Sequence, residues 1–384
     1  MRGDSLRLLA VADGKSLHTV RWARRLVERG IDVHLVTDRL PRPGDDLAGV
    51  TVHDLRTLGL VTRVRGLRRL GFGSAIRNLA GRLDVDVVHA HAVLPYAWWA
   101  ALADVHPLVV SPWGRDVLVD ARTEPGRTRA RRAFAAADRL VVNSQAILDA
   151  SVEAGADPSR GVLHAIWHAR IDEFGPERAD CDGLRGELGW SADALVVLSL
   201  RNFQHRTNID VLVRAFDHVR REEPRARLLL AARAGKTKGE IEALVAELGL
   251  ASLVRFHRVP PEGLPRLAAS VDVVVSIAGS DSTPASLLEA MASGRPLVGG
   301  WCPSIDEWIQ PGEGAEMVDT RDEDGLAAAL LRLLRDPELR RRYGERNAAL
   351  VRRRAEESGP ALERLYRELA EGGRTGARGL AAAV

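Results

Sequence analysis

Asp281-Ser-Thr-Pro-Ala-Ser-Leu-Leu-Glu289-Ala-Met-Ala-Ser-Gly294-Arg-Pro296-Leu-Val298 places two carboxylates eight residues apart. The apolar run Val271–Ile277 stands before it and reads as a strand. Pro284 suits the first turn of a helix, where a missing N–H leaves no bond unmade. Pro296–Gly299 reads as the next strand. Strand, loop, helix and strand make one repeat of a parallel α/β sheet. The helix start, with Ser282, Thr283, Pro284, Ala285, Ser286 and Leu287, offers backbone N–H groups that favour a phosphate or sugar oxygens. Glu289, inside the helix, can take both hydroxyls of a ribose. Asp281, in the loop, can reach a sugar hydroxyl. A capped surface helix with solvated acids explains the spacing equally well.

The same alternation runs outward in both directions. Leu195–Leu200, Leu228–Ala232 and Val254–His257 read as strands, with helices over Asp210–Arg221 and Gly239–Leu248. At the start, strand Leu6–Ala12 leads through Asp13-Gly-Lys-Ser16 into a helix from Leu17 to Arg29. Gly30 stops it and Val33–Val36 follows as a strand. Val85–His89, Leu108–Ser111 and Leu140–Asn143 continue the pattern. A composition shift over Trp167 to Trp190 reads as a linker. The expected domains are 1–168, 169–350, and a C-terminal helix with a flexible tail over 351–384. Charged amphipathic helices are expected at Gly325–Leu334, Pro337–Asn347 and Pro360–Leu369. That the last packs back on the first domain is the hypothesis.

At 384 residues and roughly 150 residues per domain, two ordinary domains are expected. Hydrophobic residues are 46% and charged residues 28%, which excludes wholesale disorder. No apolar run approaches the roughly 18 residues of a membrane span. Leu8–Ala12 is too short for a signal-peptide core, so a cytoplasmic protein is expected. The two cysteines, Cys181 and Cys302, build neither a disulfide framework nor a zinc pair. With 55 basic and 52 acidic residues the net charge is +3, and nucleic acid is not an expected partner. Arg63, Arg65, Arg68, Arg69, Arg77 and Arg82 are interleaved with Leu67, Leu70, Phe72 and Ile76. Peripheral contact with anionic lipid fits that stretch, but Gly66, Gly71 and Gly73 weaken it as a helix, and a solvated face is preferred. Gly71-Phe-Gly73 follows no strand and lacks the third glycine of a dinucleotide fingerprint.

Arg201 and Arg206 follow the strand Leu195–Leu200 at its carboxyl end, where open α/β sheets bind ligands. Their forked donors suit phosphate oxygens, although arginine is abundant throughout this chain. Gly14 and Lys15 follow the first strand, and His18 begins the first helix. His89 and His91 end another strand, and His91 is the one expected to face a ligand. No carboxylate–histidine pair has ligand spacing on one helix, so no metal is expected.

Asp281 to Glu289 resembles the Glu-x7-Glu signature of retaining GT-B glycosyltransferases, family 4. Glu289-Ala-Met-Ala-Ser-Gly-Arg-Pro296 continues it. Arg201-Asn-Phe-Gln-His-Arg206 is similar to that family's Arg-x4-Lys segment. Val254-Arg-Phe-His-Arg-Val-Pro260, Leu264-Pro-Arg-Leu267 and Val271-Asp-Val-Val-Val-Ser276 resemble its strand–loop–helix–strand. Ser16–Trp22, Arg29–Leu35, Val88-His-Ala-His91 and Ser111-Pro-Trp-Gly-Arg-Asp116 resemble its first domain. The departures are Asp281 for the first glutamate, Arg206 for the lysine, Thr207 for the following glycine, and Arg233-Ala-Gly235 for Gly-Asp-Gly. A histidine common after Leu108–Ser111 is absent; Asp116, Trp113 and His91 are the candidates for its place.

The resemblance implies the GT-B fold, two Rossmann-like α/β domains facing across a cleft. It implies sugar transfer with retention from a nucleotide-diphosphate sugar, with UDP or GDP as nucleotide. The acceptor is a saccharide, a lipid-linked glycan or a small natural product. Arg201, Arg206 and Asp281 would serve catalysis. The helix start and Glu289, with Arg258 and Val259 near the base, would bind the donor. Gly14, Lys15, His18, His91, Trp113 and Asp116 would lie on the acceptor side or the diphosphate loop. No cofactor and no metal are expected, the nucleotide sugar being a substrate. The alternatives are a GT-B nucleotide-sugar epimerase or hydrolase, and a lapsed nucleotide-sugar-binding protein.

Overall fold

The computed structural model describes residues 5–59, 71–166, 169–232, 235–279, 281–309 and 311–381, with side chains through 372. Its contacts divide it into two units, Met1–His168 with Glu356–Val384, and Ala169–Ala355.

The first unit carries seven parallel strands among the described residues. They are β1 (Arg7–Val11), β2 (Asp32–Thr37), β3 (Val50–Asp54), β4 (Val87–His91), β5 (Leu108–Ser111), β6 (Arg139–Val142) and β7 (Val162–His164). The order is β3-β2-β1-β4-β5-β6-β7. Every residue of β4 and β5 is buried, as in a parallel sheet covered on both faces. The sequence reading missed β3 and β7. Both lie at sheet edges, half exposed, so they lack the apolar run that betrays an inner strand. Helix Leu17–Glu28 buries Val20, Trp22, Ala23 and Leu26, and Gly30 ends it with φ +78°, a conformation glycine adopts without strain.

Helix Phe72–Leu83 covers the end of the arginine stretch, with Gly71 as its N-cap and Gly73 in its first turn, while Gly66 lies outside the described residues. A Cβ on Gly73 would lie 2.7 Å from Leu102 Cβ, so glycine admits a close neighbour there. Arg77 and Arg82 point to solvent on this helix. Arg63, Arg65, Arg68 and Arg69 lie outside the described residues.

The two expected C-terminal helices are one, Pro337–Ala381, with Pro360 inside it. An interior proline typically costs ~3 kcal/mol. Packing offsets it here: Leu362, Tyr366 and Ala370 recur at helical spacing and bury against Trp22, Leu8 and Leu35 in the first unit's core. The Ser358 hydroxyl accepts the Ile166 amide at 3.0 Å.

Tyr366 reaches His89 on β4, hydroxyl to Nδ1 at 2.5 Å, while His89 Nε2 lies 2.7 Å from the Ser111 hydroxyl. Burial pushes the His91 imidazole down from 6.5 to about 3. Burial first, and the neighbouring His91 second, push His89 well down. Both imidazoles are therefore neutral in the fold and take up protons only on unfolding. Their depressed folded pKa values give stability that is complete above pH 6.5 and is lost as pH falls from there toward 3. The expected slope is up to about 1.4 kcal/mol per pH unit for each imidazole. Unfolding midpoints between pH 7 and 5 should fall less steeply for His91→Gln than for wild type. Equal slopes would contradict a neutral, buried His91.

The second unit repeats the winding. Its strands are β8 (Leu195–Ser199), β9 (Ala226–Leu230), β10 (Val254–Phe256), β11 (Val273–Ser276), β12 (Leu297–Gly300) and β13 (Ala315–Val318), in the order β10-β9-β8-β11-β12-β13. Helices Ile209–Glu222 and Glu323–Arg335 bury Leu212, Phe216, Leu330 and Leu333 against Val197, Leu228 and Val273. The expected linker is corrected from Ala169 onward. Helix Cys181–Glu187 is fastened to this unit by Arg185, whose guanidinium meets Asp272 at 2.8 Å and the Ala194 carbonyl at 2.8 Å. The Asp-, Gly- and Glu-rich composition that read as a linker is the exposed side of this segment, while Arg185 is buried and bonded on the other.

Candidate active site

In both sheets the strand order reverses between two neighbours, β1 and β4 in one, β8 and β11 in the other. At such a point the loops diverge to opposite faces and open a crevice at the carboxyl ends. In the second unit, Val273 on β11 pairs with Val197 on β8, so the loops after Ser199 and Ser276 emerge side by side. They are stitched together. The Gly279 amide donates to the Arg206 carbonyl at 3.0 Å. Asn208, at φ +51°, donates its Nδ2 to the Ile277 carbonyl at 2.9 Å. The Thr207 hydroxyl closes the turn on the Asn202 and Gln204 carbonyls at 2.8 and 2.6 Å.

This juxtaposition brings Arg201 and Asp281 together. The Arg201 Nη2 donates to the Asp281 carboxylate, and the two side chains are only 11% and 16% exposed. Arg201 Nε is buried with no hydrogen-bond partner. The Ser304 hydroxyl donates to the Asp281 carbonyl at 2.6 Å, and Cys302 Sγ lies 3.9 Å from the same oxygen. Arg206 is exposed on the turn His205–Thr207.

Helix Ala285–Ala292 starts at Pro284, which is its N-cap rather than a first-turn residue, since its ψ of 127° is extended; no side chain caps this start. Ser282, Ala285 and Ser286 are half-buried at the mouth. Thr283 is turned inward, accepting Trp308 Nε1 at 3.2 Å. Leu287 is corrected: its side chain is 1% exposed and its amide donates to the Pro284 carbonyl at 3.0 Å. It packs the helix and presents nothing to a ligand.

Glu289 lies one turn along, 5% exposed, against Arg170. Its Oε1 is 3.4 Å from the Arg170 amide and 3.5 Å from Arg170 Nε. Arg170 also meets Glu173 at 2.9 Å and the Pro261 carbonyl at 3.1 Å. Arg258 and Val259, after β10, line a cavity of about 250 Å³ with Leu184, Glu187 and Arg266. Sequence reading missed Arg170, Asn208 and Ser304. No periodicity or motif marks a single arginine in an arginine-rich chain, and the other two act through backbone carbonyls.

In the first unit, Gly14 follows β1. Its amide donates to the Thr37 hydroxyl at 2.9 Å, and a Cβ there would lie 2.6 Å from the Arg39 carbonyl, so only glycine fits. Lys15 is exposed beside it. His18 and Trp113 make edge-on ring contact at 5.4 Å. His91 is corrected: it is 1% exposed, packed against Trp22 at 4.0 Å and Trp113 at 5.4 Å, and is a core residue. Asp116, at 4% exposure, is likewise corrected. Its carboxylate accepts the Val93 amide at 2.6 Å and the Trp113 amide at 3.0 Å. It fastens the loops after β4 and β5 to each other, and burial raises its pKa against those bonds. Among the described residues no cluster of three or more His, Cys, Asp or Glu side chains could hold a metal ion, and no helix is long and apolar enough to cross a membrane.

Two sheets wound alike make a Rossmann-like frame, and one of them carries an arginine–carboxylate pair and an uncapped helix start at its carboxyl ends. Residues 182–349 match the family model for glycosyl transferases group 1, and residues 7–144 that for glycosyl transferase 4-like proteins. Sequence relatives include the N-acetyl-alpha-D-glucosaminyl L-malate synthase of Bacillus anthracis, 26% identical over 87% of both chains. A D-inositol 3-phosphate glycosyltransferase of Streptomyces griseus is 30% identical over 88% of this chain and 80% of that protein. Among solved structures, sucrose-phosphate synthase from Thermosynechococcus elongatus superposes with a TM-score of 0.77 at 19% identity, covering 96% of this chain and all of that one. The chain belongs to the group 1, family 4-type glycosyltransferases and has the GT-B fold. It is a glycosyltransferase.

Proposed function

We propose that the enzyme moves a sugar from a nucleotide-diphosphate sugar, with UDP or GDP as the nucleotide, to a small hydroxylated acceptor, retaining the anomeric configuration. The observation that carries this is the Arg201–Asp281 pair, held at the ends of β8 and β11 beside the uncapped start of helix Ala285–Ala292. In the reaction the bond from the anomeric carbon to the β-phosphate oxygen breaks. The acceptor oxygen bonds to that carbon, and its proton passes to the departing diphosphate oxygen. Catalysis is then charge stabilisation by Arg201, Arg206 and the helix start at Ser282–Ser286, preorganised and needing no rearrangement as charge develops. Asp281 holds the sugar and Glu289 the ribose. Gly14, Lys15 and His18 are assigned to the acceptor.

Two relatives carry names that specify small hydroxylated anions, L-malate and D-inositol 3-phosphate. That supports an acceptor of this kind over a lipid-linked glycan. The test is to offer UDP- and GDP-sugars with L-malate, inositol 3-phosphate or neutral sugars, following free nucleoside diphosphate and the product's anomeric signal. Release that depends on an anionic acceptor, with the donor's configuration kept, is expected. Release without any acceptor, or an inverted product, would contradict the proposal.

A further inference from the structure

Arg170 is an arginine 7% exposed, far more buried than this residue type ordinarily is. Two of its three guanidinium nitrogens are hydrogen-bonded. Nη1 meets Glu173 Oε2 at 2.9 Å, and Nη2 donates to the Pro261 carbonyl at 3.1 Å. The guanidinium also lies 5.2 Å from the Phe174 ring centroid. Nε is different. It is buried, makes no hydrogen bond, and stands 3.5 Å from Glu289 Oε1. A buried donor left without a hydrogen bond is costly, so an oxygen arriving there would be held well. The gap lies beside the carboxylate assigned to the ribose.

We propose that Arg170 is a further donor-binding residue, whose Nε donates to a ribose hydroxyl that itself donates to Glu289. This rests on the reading of Glu289 as the ribose ligand. A hydroxyl suits the position because it donates and accepts at once. It gives its proton to Glu289 Oε1 and takes the N–H of Arg170. The vicinal diol of a ribose places the other hydroxyl on Oε2. The ligand class is a ribonucleotide, as distinct from a deoxyribonucleotide.

The test is calorimetric titration of UDP and 2′,3′-dideoxy-UDP, and of GDP and 2′,3′-dideoxy-GDP, into wild type, Glu289→Gln, Arg170→Gln and Arg170→Lys. Wild type should favour the ribose form of its nucleotide on the order of 10- to 100-fold, as for hydrogen bonds to charged groups. Both Arg170 variants should lose most of that preference while binding the dideoxy form as before. Arg170→Lys is decisive: it keeps the charge but has no donor at the Nε position. If it discriminates like wild type, or if both variants lose affinity for the two forms alike, Arg170 only balances charge and the proposal is overturned. If wild type and Glu289→Gln both ignore the hydroxyls, the ribose assignment of Glu289 fails and this proposal fails with it. Melting of each variant shows which are folded, and Arg170→Lys retains the buried ion pair should Arg170→Gln unfold.

Discussion

Arg201→Ala is expected to lower turnover by about 100- to 1000-fold, the range typical for loss of one preorganised donor to a developing oxyanion. The side chain sits at the end of β8, where the carboxyl edge of the sheet faces ligands, and is held by Asp281. Its Nε has no partner, so one donor stands ready for a phosphate oxygen while Nη2 holds the carboxylate. Alanine removes both functions and leaves Asp281 largely buried without its cation. Some destabilisation is therefore expected as well. Asp281→Asn breaks the same ion pair but keeps the Arg201 guanidinium, so comparing the two variants separates loss of the pair from loss of the phosphate donor. Turnover within about threefold of wild type in folded Arg201→Ala would contradict the diphosphate role, given the two to three decades expected for a donor in that position.

Glu289→Ala is expected to weaken nucleotide binding by ~10- to 100-fold, since a buried carboxylate taking two hydroxyls makes charged hydrogen bonds of about 1.5–3 kcal/mol each, only partly additive. The same substitution leaves Arg170 as a buried cation with Glu173 as its remaining carboxylate. Breaking one side of a buried pair typically costs about 3–5 kcal/mol, so the melting temperature should fall too. Glu289→Gln keeps the volume and is the safer probe of binding. Unchanged affinity in a folded Glu289 variant would remove the residue from the donor site.

Much of the fold is legible in the sequence because inner parallel strands are continuous apolar runs. Val87–His91 and Val273–Ser276 show themselves that way, and Gly30 marks a helix end. Edge strands such as Val50–Asp54 do not, because one side is wet and no run forms. Pro360 misleads for the opposite reason: the rule that proline breaks helices is local, whereas Tyr366 and Leu362 hold the helix by tertiary packing. At the candidate site, spacing and resemblance single out Asp281, Glu289, Arg201 and Arg206, and the fold brings Arg201 to Asp281. His91 and Asp116 carry reactive chemistry on the page, yet the fold uses one as core and the other to bind two backbone amides. Their burial depends on Trp22, Trp113 and Val93, partners that only folding brings together. Arg170 is the converse, silent in sequence yet buried against Glu289.

The central claim is that the second unit binds a nucleoside diphosphate through the ends of β8 and β11 and helix Ala285–Ala292. The most direct test is calorimetric titration of UDP, GDP, ADP, CDP and dTDP into wild type, Glu289→Gln and Arg201→Ala. One nucleotide should bind wild type clearly better than the others, and both variants should weaken it while remaining folded. Binding of none of the five by folded wild type, or binding indifferent to both substitutions, would contradict the account.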